Sequence, residues 1–244
     1  MLIYNVFSSS MSFSEKIIYL TLFIIVLAFS LSIHEFMHAW VAEKMGDDTP
    51  RRQGRISLNP MAHIDPAGAI LLFLAGFGWG KPVQINPNNL KRFKRWNCER
   101  LISLAGVFAN FVMALISSLF FTFFFVYFRS HGASSEKVWM IQNIVLFFFE
   151  MLTSINLGLM AFNLIPVPPL DGYRFVYTFI PYKMRNAFNS LVKYTSYAFL
   201  LLILLENFTH VSLLSRLIGW IETPFVKVIE LITDPLESWL WDIL

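Results

Sequence analysis

Long apolar runs, rather than short alternations, set the pattern of this chain. Between Ile17 and Ile33 no charged residue occurs. Four runs reach the roughly 20 residues that a helix needs to cross the hydrocarbon of a bilayer. They cover 17–41, 101–128, 138–162 and 187–208. The fourth is the weakest, because Lys193 and Glu206 lie inside its ends and would have to snorkel to the headgroups. None of the runs has the period-two alternation of barrel strands, so all four are expected to be helical. Residues 66–80 are too short to span and end in Gly76-Phe77-Gly78-Trp79-Gly80. Glycine at alternate positions suits a hairpin or a close backbone approach. A short apolar element of this kind is read as re-entrant or surface-lying, shielded by protein. Beyond Val211, the residues Leu213, Leu214, Leu217, Ile218 and Ile221 fall on one side, with Pro224 and Pro235 as expected breaks. With Trp220, Trp239 and Trp241 they read as amphipathic interfacial helices. The expected fold is an all-α membrane protein, a polytopic bundle of about four spans with room for a fifth or sixth. A re-entrant or β-hairpin element follows the first span, and interfacial helices close the chain. Its expected division is a core over 1–208 and a tail over 209–244.

Composition supports that class. The chain is 56% hydrophobic and only 14% charged, against about a quarter charged in a soluble domain. A net charge of +3 gives no reason to expect a nucleic-acid partner; the bilayer is the expected surroundings. The placement of the charge is more informative. Ten of the nineteen Lys and Arg fall in 44–100 and four more in 172–193. The positive-inside rule puts both blocks in the cytoplasm and the amino terminus and the 129–137 loop outside. Since 44 and 100 share a side, 66–80 does not cross. The lone Cys98 excludes an intramolecular disulfide framework and a thiolate metal cluster.

Candidate chemistry lies where the first run ends, in His34-Glu35-Phe36-Met37-His38. Ionisable groups in a span are costly and are kept for function. Two histidines at i and i+4 share a helical face and can hold one zinc ion. Glu35 can then reach a metal-bound water without being a ligand. Catalytic zinc commonly takes three protein ligands. Asp171, in the proline-broken stretch Asn163 to Gly172, reaches the same membrane level as the histidines, although a solvated turn aspartate is an equal reading of its local sequence. His63 and Asp65 are the rivals, with Asp65 reading more naturally as a turn residue before Pro66. Asp47 and Asp48 look like a solvated helix exit. His131 and His210 fall on the opposite side, and Glu150 lies far from the metal end of its helix.

These residues resemble the site-2 proteases, intramembrane zinc metalloproteases, in their compact bacterial and archaeal form. The resemblance covers about residues 15–185 and rests on four blocks: His34 to His38; Gly54 to Pro60 with His63 to Pro66; Gly78 to Val83; and Asn163 to Gly172. It implies that Asp171 is the third zinc ligand and Glu35 the catalytic base. Asn163, with Asn110 at a matching spacing from Gly106, is expected to hold the substrate strand or the oxyanion. There are departures: Val107 follows Ala105-Gly106 where the family often has proline, and Tyr173 separates Gly172 from Arg174. Neither touches a ligand. No PDZ or CBS domain is expected.

The expected activity is hydrolysis of peptide bonds in or near transmembrane segments, with the site at the cytoplasmic side and Zn2+ as cofactor. The implied substrate is a membrane protein, single-span in type, and the implied location is a prokaryotic inner membrane. The alternative is a zinc-dependent transporter or assembly factor without proteolysis. Glu35 separates the two, since only the protease needs a general base.

Overall fold

A computed structural model describes residues 12–75, 78–208 and 212–244. The first apolar run forms α1 (Phe13–Lys44). It opens on a capping box: Ser12 Oγ accepts from the Glu15 N–H at 3.3 Å, and the Glu15 carboxylate accepts from the Ser12 N–H at 2.7 Å. A short α2 (Thr49–Arg52) follows, then α3 (Pro66–Ala75). The second and third runs form α4 (Arg95–His131) and α5 (Glu136–Leu164). After them come α6 (Asp171–Tyr177), α7 (Arg185–Phe208) and α8 (Leu213–Ile243). Among the described residues there is no β-strand, only a single antiparallel bridge between Ile64 and Gly80.

Three helices, α1, α4 and α5, are long and apolar enough to cross a membrane. They pack on one another as the body of the bundle. In lipid no hydrophobic force drives helices together, so close approach and buried polar contacts decide the packing. The inner face of α4 is accordingly built of small residues, with Ser103, Gly106, Ala109, Ala114 and Ser117 all buried. Val107 and Ala114 meet Leu157, Met160 and Ala161 of α5, while Val26 of α1 meets Met151 and Leu152. Cys98 sits in a third cluster with Ala42, Leu90 and Ile102, an ordinary core thiol.

Several expectations change. Pro224 and Pro235 do not break the tail, which runs as one helix of 31 residues. Each proline removes one hydrogen bond of the helical ladder. Burial of Ile229, with Ile218, Ile221 and Phe225, against α4 and α5 carries the helix through. The fourth run is helical, but among the described residues α7 falls outside the set apolar enough to span. Glu206 does not snorkel. Its carboxylate accepts from the N–H groups of Leu214 and Ser215 at 2.7 and 3.1 Å, supplying an acceptor at the start of α8.

The element after α1 is a helix followed by a returning limb. Lys81 N–H donates to His63 O at 2.7 Å, closing the base, and a Cβ on Gly68 would lie 2.1 Å from Trp79 O. Glycine is required at 68 for that crossing. Gly76, part of the alternating-glycine pattern, lies outside the described residues, as does His210. At the same end of the bundle Asp47 is buried rather than solvated. It accepts from Thr49 N–H, Asn86 N–H and Asn89 Nδ2 at 3.1, 2.6 and 2.9 Å, pinning the 86–89 loop to the end of α1.

Candidate metal centre

His34 and His38 face inward from α1 and are buried at 4% and 5% exposure. The chain brings Asp171 to them from the far side. The stretch Pro166 to Leu170 ends α5, and α6 begins at Asp171 itself. A Cβ on Gly172 would sit 2.3 Å from Leu164 O, so only glycine lets the first turn of α6 lie against the end of α5. The donor atoms then converge. His38 Nε2 is 3.1 Å from His34 Nε2 and 2.9 Å from Asp171 Oδ2, and His34 Nε2 is 3.1 Å from the same oxygen.

One face of α4 holds this geometry from behind, through Ile102, Gly106 and Asn110 at successive turns. His38 Nδ1 donates to Ile102 O at 2.7 Å, and His34 Nδ1 donates to Asn110 Oδ1 at 2.6 Å. Between them, a Cβ on Gly106 would come within 2.4 Å of His38 Nε2 and 2.6 Å of His34 Cε1. With both Nδ1 atoms protonated, the two Nε2 atoms and the carboxylate point three lone pairs at one place. Such a convergence asks for a cation. Ligands about 2.0–2.1 Å from a tetrahedral zinc lie roughly 3.3–3.4 Å apart, close to the spacing found. Two imidazoles and one carboxylate fit zinc with an open fourth position.

Glu35 is not part of the triangle. It lies half-buried one position along α1, and its carboxylate accepts from the Val83 N–H at 3.2 Å on the returning limb. Two openings lie in this part of the bundle. A groove of about 680 Å³ includes Val83, Gln84 and Ile85 on one side and Tyr173 and Tyr177 on the other. An apolar cavity of about 270 Å³ lies between α1, α3 and α5, lined by Ile24, Ala28, Leu31, Leu159 and Phe162. Positions 24, 28 and 31 share the helical face of Glu35, so the cavity runs along that face away from the carboxylate.

The other expected residues fall elsewhere. Among the described residues, His34, His38 and Asp171 form the one group able to share a metal. His63 is buried with Nε2 donating to Ser57 O at 2.7 Å, and Asp65 accepts from Gly68 N–H at 2.9 Å, so neither rival joins it. Asn163 turns its amide back to Leu159 O at 2.9 Å. Asn110 stands behind His34, with its amide nitrogen directed to Asn156 Oδ1 at 2.7 Å and Ser30 O at 3.5 Å, leaving no hydrogen for an oxyanion. Glu150 is exposed on the surface of α5 and His131 lies at the opposite end of α4. Asn156 and Ser30 were not legible as site residues. The available signal was polarity in the middle of an apolar run.

The model of peptidase family M50 matches residues 22–204. The chain is 37% identical over 179 residues to the Bacillus subtilis protein named "Putative zinc metalloprotease YwhC", covering 73% of this chain and 78% of that one. It is 30% identical over 167 residues to Rip2 of Mycolicibacterium smegmatis, covering 64% of this chain and 57% of that protein. With Rip2 of Mycobacterium tuberculosis H37Rv identity is 29% over 168 residues, covering 65% and 58%. The chain thus spans little more than half the length of the Rip2 proteins. No solved structure matches it significantly.

Proposed function

The chain belongs to peptidase family M50, and on that footing we propose that it is an intramembrane zinc metalloprotease cutting peptide bonds in or beside the transmembrane segments of other membrane proteins. The observation that carries this reading is the triangle of bare donors, His34 Nε2, His38 Nε2 and Asp171 Oδ2, with a carboxylate one residue away. His34, His38 and Asp171 would hold the zinc, which when bound would acidify a water and polarise the scissile carbonyl.

The remaining work falls to residues of the chain. Glu35 takes the proton of the attacking water and delivers it to the leaving amine. The Val83 N–H, donating to Glu35, keeps that carboxylate aimed. Asn110 and the Ile102 carbonyl hold the imidazoles in place. Asn163, directly before the proline-broken loop, is the candidate left for contact with the substrate strand.

A helical substrate hides its carbonyls in its own hydrogen bonds, so a segment must unwind before it is cut. The apolar cavity along the Glu35 face of α1 offers a way in from lipid. On the side read as cytoplasmic, the main chain of Gln84 and Ile85 makes no hydrogen bond among the described residues. An unwound strand can add to that edge. Single-span proteins, whose one helix is least held by neighbours, suit such entry. The positive-inside rule favours the cytoplasm for this end, with the amino terminus outside, and the bacterial relatives favour a prokaryotic inner membrane.

The test is a comparison of membrane proteomes from cells carrying wild-type protein or Glu35→Gln. Single-span proteins are expected to accumulate uncut in the variant. Accumulation of none would defeat the protease reading.

A further inference from the structure

Asn156 of α5 and Ser30 of α1 have no part in the chemistry above, yet both are 0% exposed. Their hydrogen bonds have a direction that can be read outward from one fixed point. Asn156 Nδ2 donates to Leu152 O at 2.8 Å and to Ser30 Oγ at 2.9 Å. A main-chain carbonyl only accepts, so the amide nitrogen is fixed on that side and Oδ1 on the other. There Oδ1 accepts from Asn110 Nδ2 at 2.7 Å. That bond in turn fixes the Asn110 amide with its own Oδ1 against His34 Nδ1, at 2.6 Å. The hydrogen of the neutral His34 ring must then be on Nδ1, which leaves Nε2 bare towards His38 and Asp171.

We propose that Asn156, anchored by the Leu152 carbonyl and Ser30, is a positioning residue for the metal centre, selecting through Asn110 the His34 tautomer that can bind metal. The two ligating histidines differ in this respect. His38 has its tautomer set directly by a main-chain carbonyl, Ile102 O, which cannot flip. His34 faces a side-chain amide, and a flipped Asn110 would offer an N–H to Nδ1 and favour the proton on Nε2, where the metal belongs. The relay removes that choice, its short Asn156 contact acting with a longer one, 3.5 Å, from Asn110 Nδ2 to Ser30 O. It also makes one ligand depend on the relative placement of three helices, α5, α4 and α1.

The inference rests on reading the cluster as a zinc site, and its test separates the two. Zinc affinity of the purified full chain is measured by competition with a chelator. Wild-type protein that binds no zinc would defeat the metal reading, whatever Asn156 does. Given wild-type binding, Asn156→Leu is expected to weaken zinc about 10- to 100-fold, as loss of a partner behind a ligating histidine generally does. In an Asn110→Ala background it should cost nothing more, because its route to His34 is already cut. Ser117→Ala breaks another bond between α4 and α5, the 2.9 Å contact with Thr153 Oγ1, and should leave zinc affinity unchanged. If Asn156→Leu does not fold, Ser30→Ala removes only the outer anchor, and a weaker loss that vanishes in the Asn110→Ala background is expected. Unchanged affinity in the folded variant, or an equal loss with and without Asn110, would overturn the relay.

Discussion

Replacing Gly106 by alanine adds one methyl group at the most crowded point behind the site. The new Cβ would lie 2.4 Å from His38 Nε2, 2.6 Å from His34 Cε1 and 2.7 Å from His34 Nδ1. Carbon and nitrogen that are not bonded touch at about 3.5 Å, so the rings or the helix must give by roughly 1 Å. The rings cannot yield alone, since each Nδ1 is tied to α4 itself, at Ile102 O and Asn110 Oδ1. If α4 retreats, it takes those partners with it. Zinc ligands tolerate misplacement of about 0.2 Å, and a shift of about 1 Å near reacting groups can cost about 100-fold in rate. Gly106→Ala is therefore expected to leave the chain membrane-inserted but with sub-stoichiometric zinc and cleavage reduced at least about 100-fold. The assay pairs elemental zinc per chain with cleavage of a membrane-embedded substrate. Gly158→Ala is the control, because its Cβ would meet only Glu222 Oε1, at 3.8 Å, and should change neither quantity. Full zinc and full activity in Gly106→Ala would refute the argument that α4 backs directly onto the ligands.

Two further outcomes follow from the same structure. Asp171→Asn should abolish tight zinc binding, whereas Asp65→Asn, whose carboxyl serves only the Gly68 N–H near the start of α3, should leave zinc in place; equal losses on elemental analysis would restore Asp65 as a ligand. Burial tends to raise the pKa of Asp47, but hydrogen bonds from Thr49, Asn89 and Asn86 outweigh it, and the folded-state pKa is lowered. A lowered folded pKa contributes stability above the ordinary carboxylate pKa and loses it as pH falls through the folded value. Asp47→Asn should thus destabilise by roughly 1–3 kcal/mol near neutrality, with the gap to wild type closing in thermal inactivation curves below about pH 4. A gap that persisted or widened in acid would contradict that assignment.

The parts of this protein legible in its sequence are those set by local chemistry. Helical spacing alone brought His34 and His38 to one face, and unbroken apolar runs located α1, α4 and α5. Asp171 was favoured by depth and proline stiffness, and Asp65 disfavoured by the proline after it, but no local signal carried Asp171 to the histidines. The packing of Gly172 on Leu164 does that, setting Asp171 Oδ2 at 3.1 and 2.9 Å from the two Nε2 atoms. The tail was misread because proline was weighed by its helical cost in isolation, without the contacts of Ile221, Phe225 and Ile229 that offset it. Glu206 looked like a stray charge because its partners, the first N–H groups of α8, belong to another element. Asn110 had the right position but a different task, since a side chain's role depends on where both ends of its amide go. The same holds for Asn156, whose partners are 46 and 126 positions away in the chain.

In the proposed reaction three donors hold one zinc ion while Glu35 moves the proton. This is tested most directly by measuring zinc content and cleavage together in purified Glu35→Gln. About one zinc per chain is expected, as in wild type, with turnover lost. Retained cleavage, or zinc lost along with it, would contradict the separation of ligand and base on which the account stands.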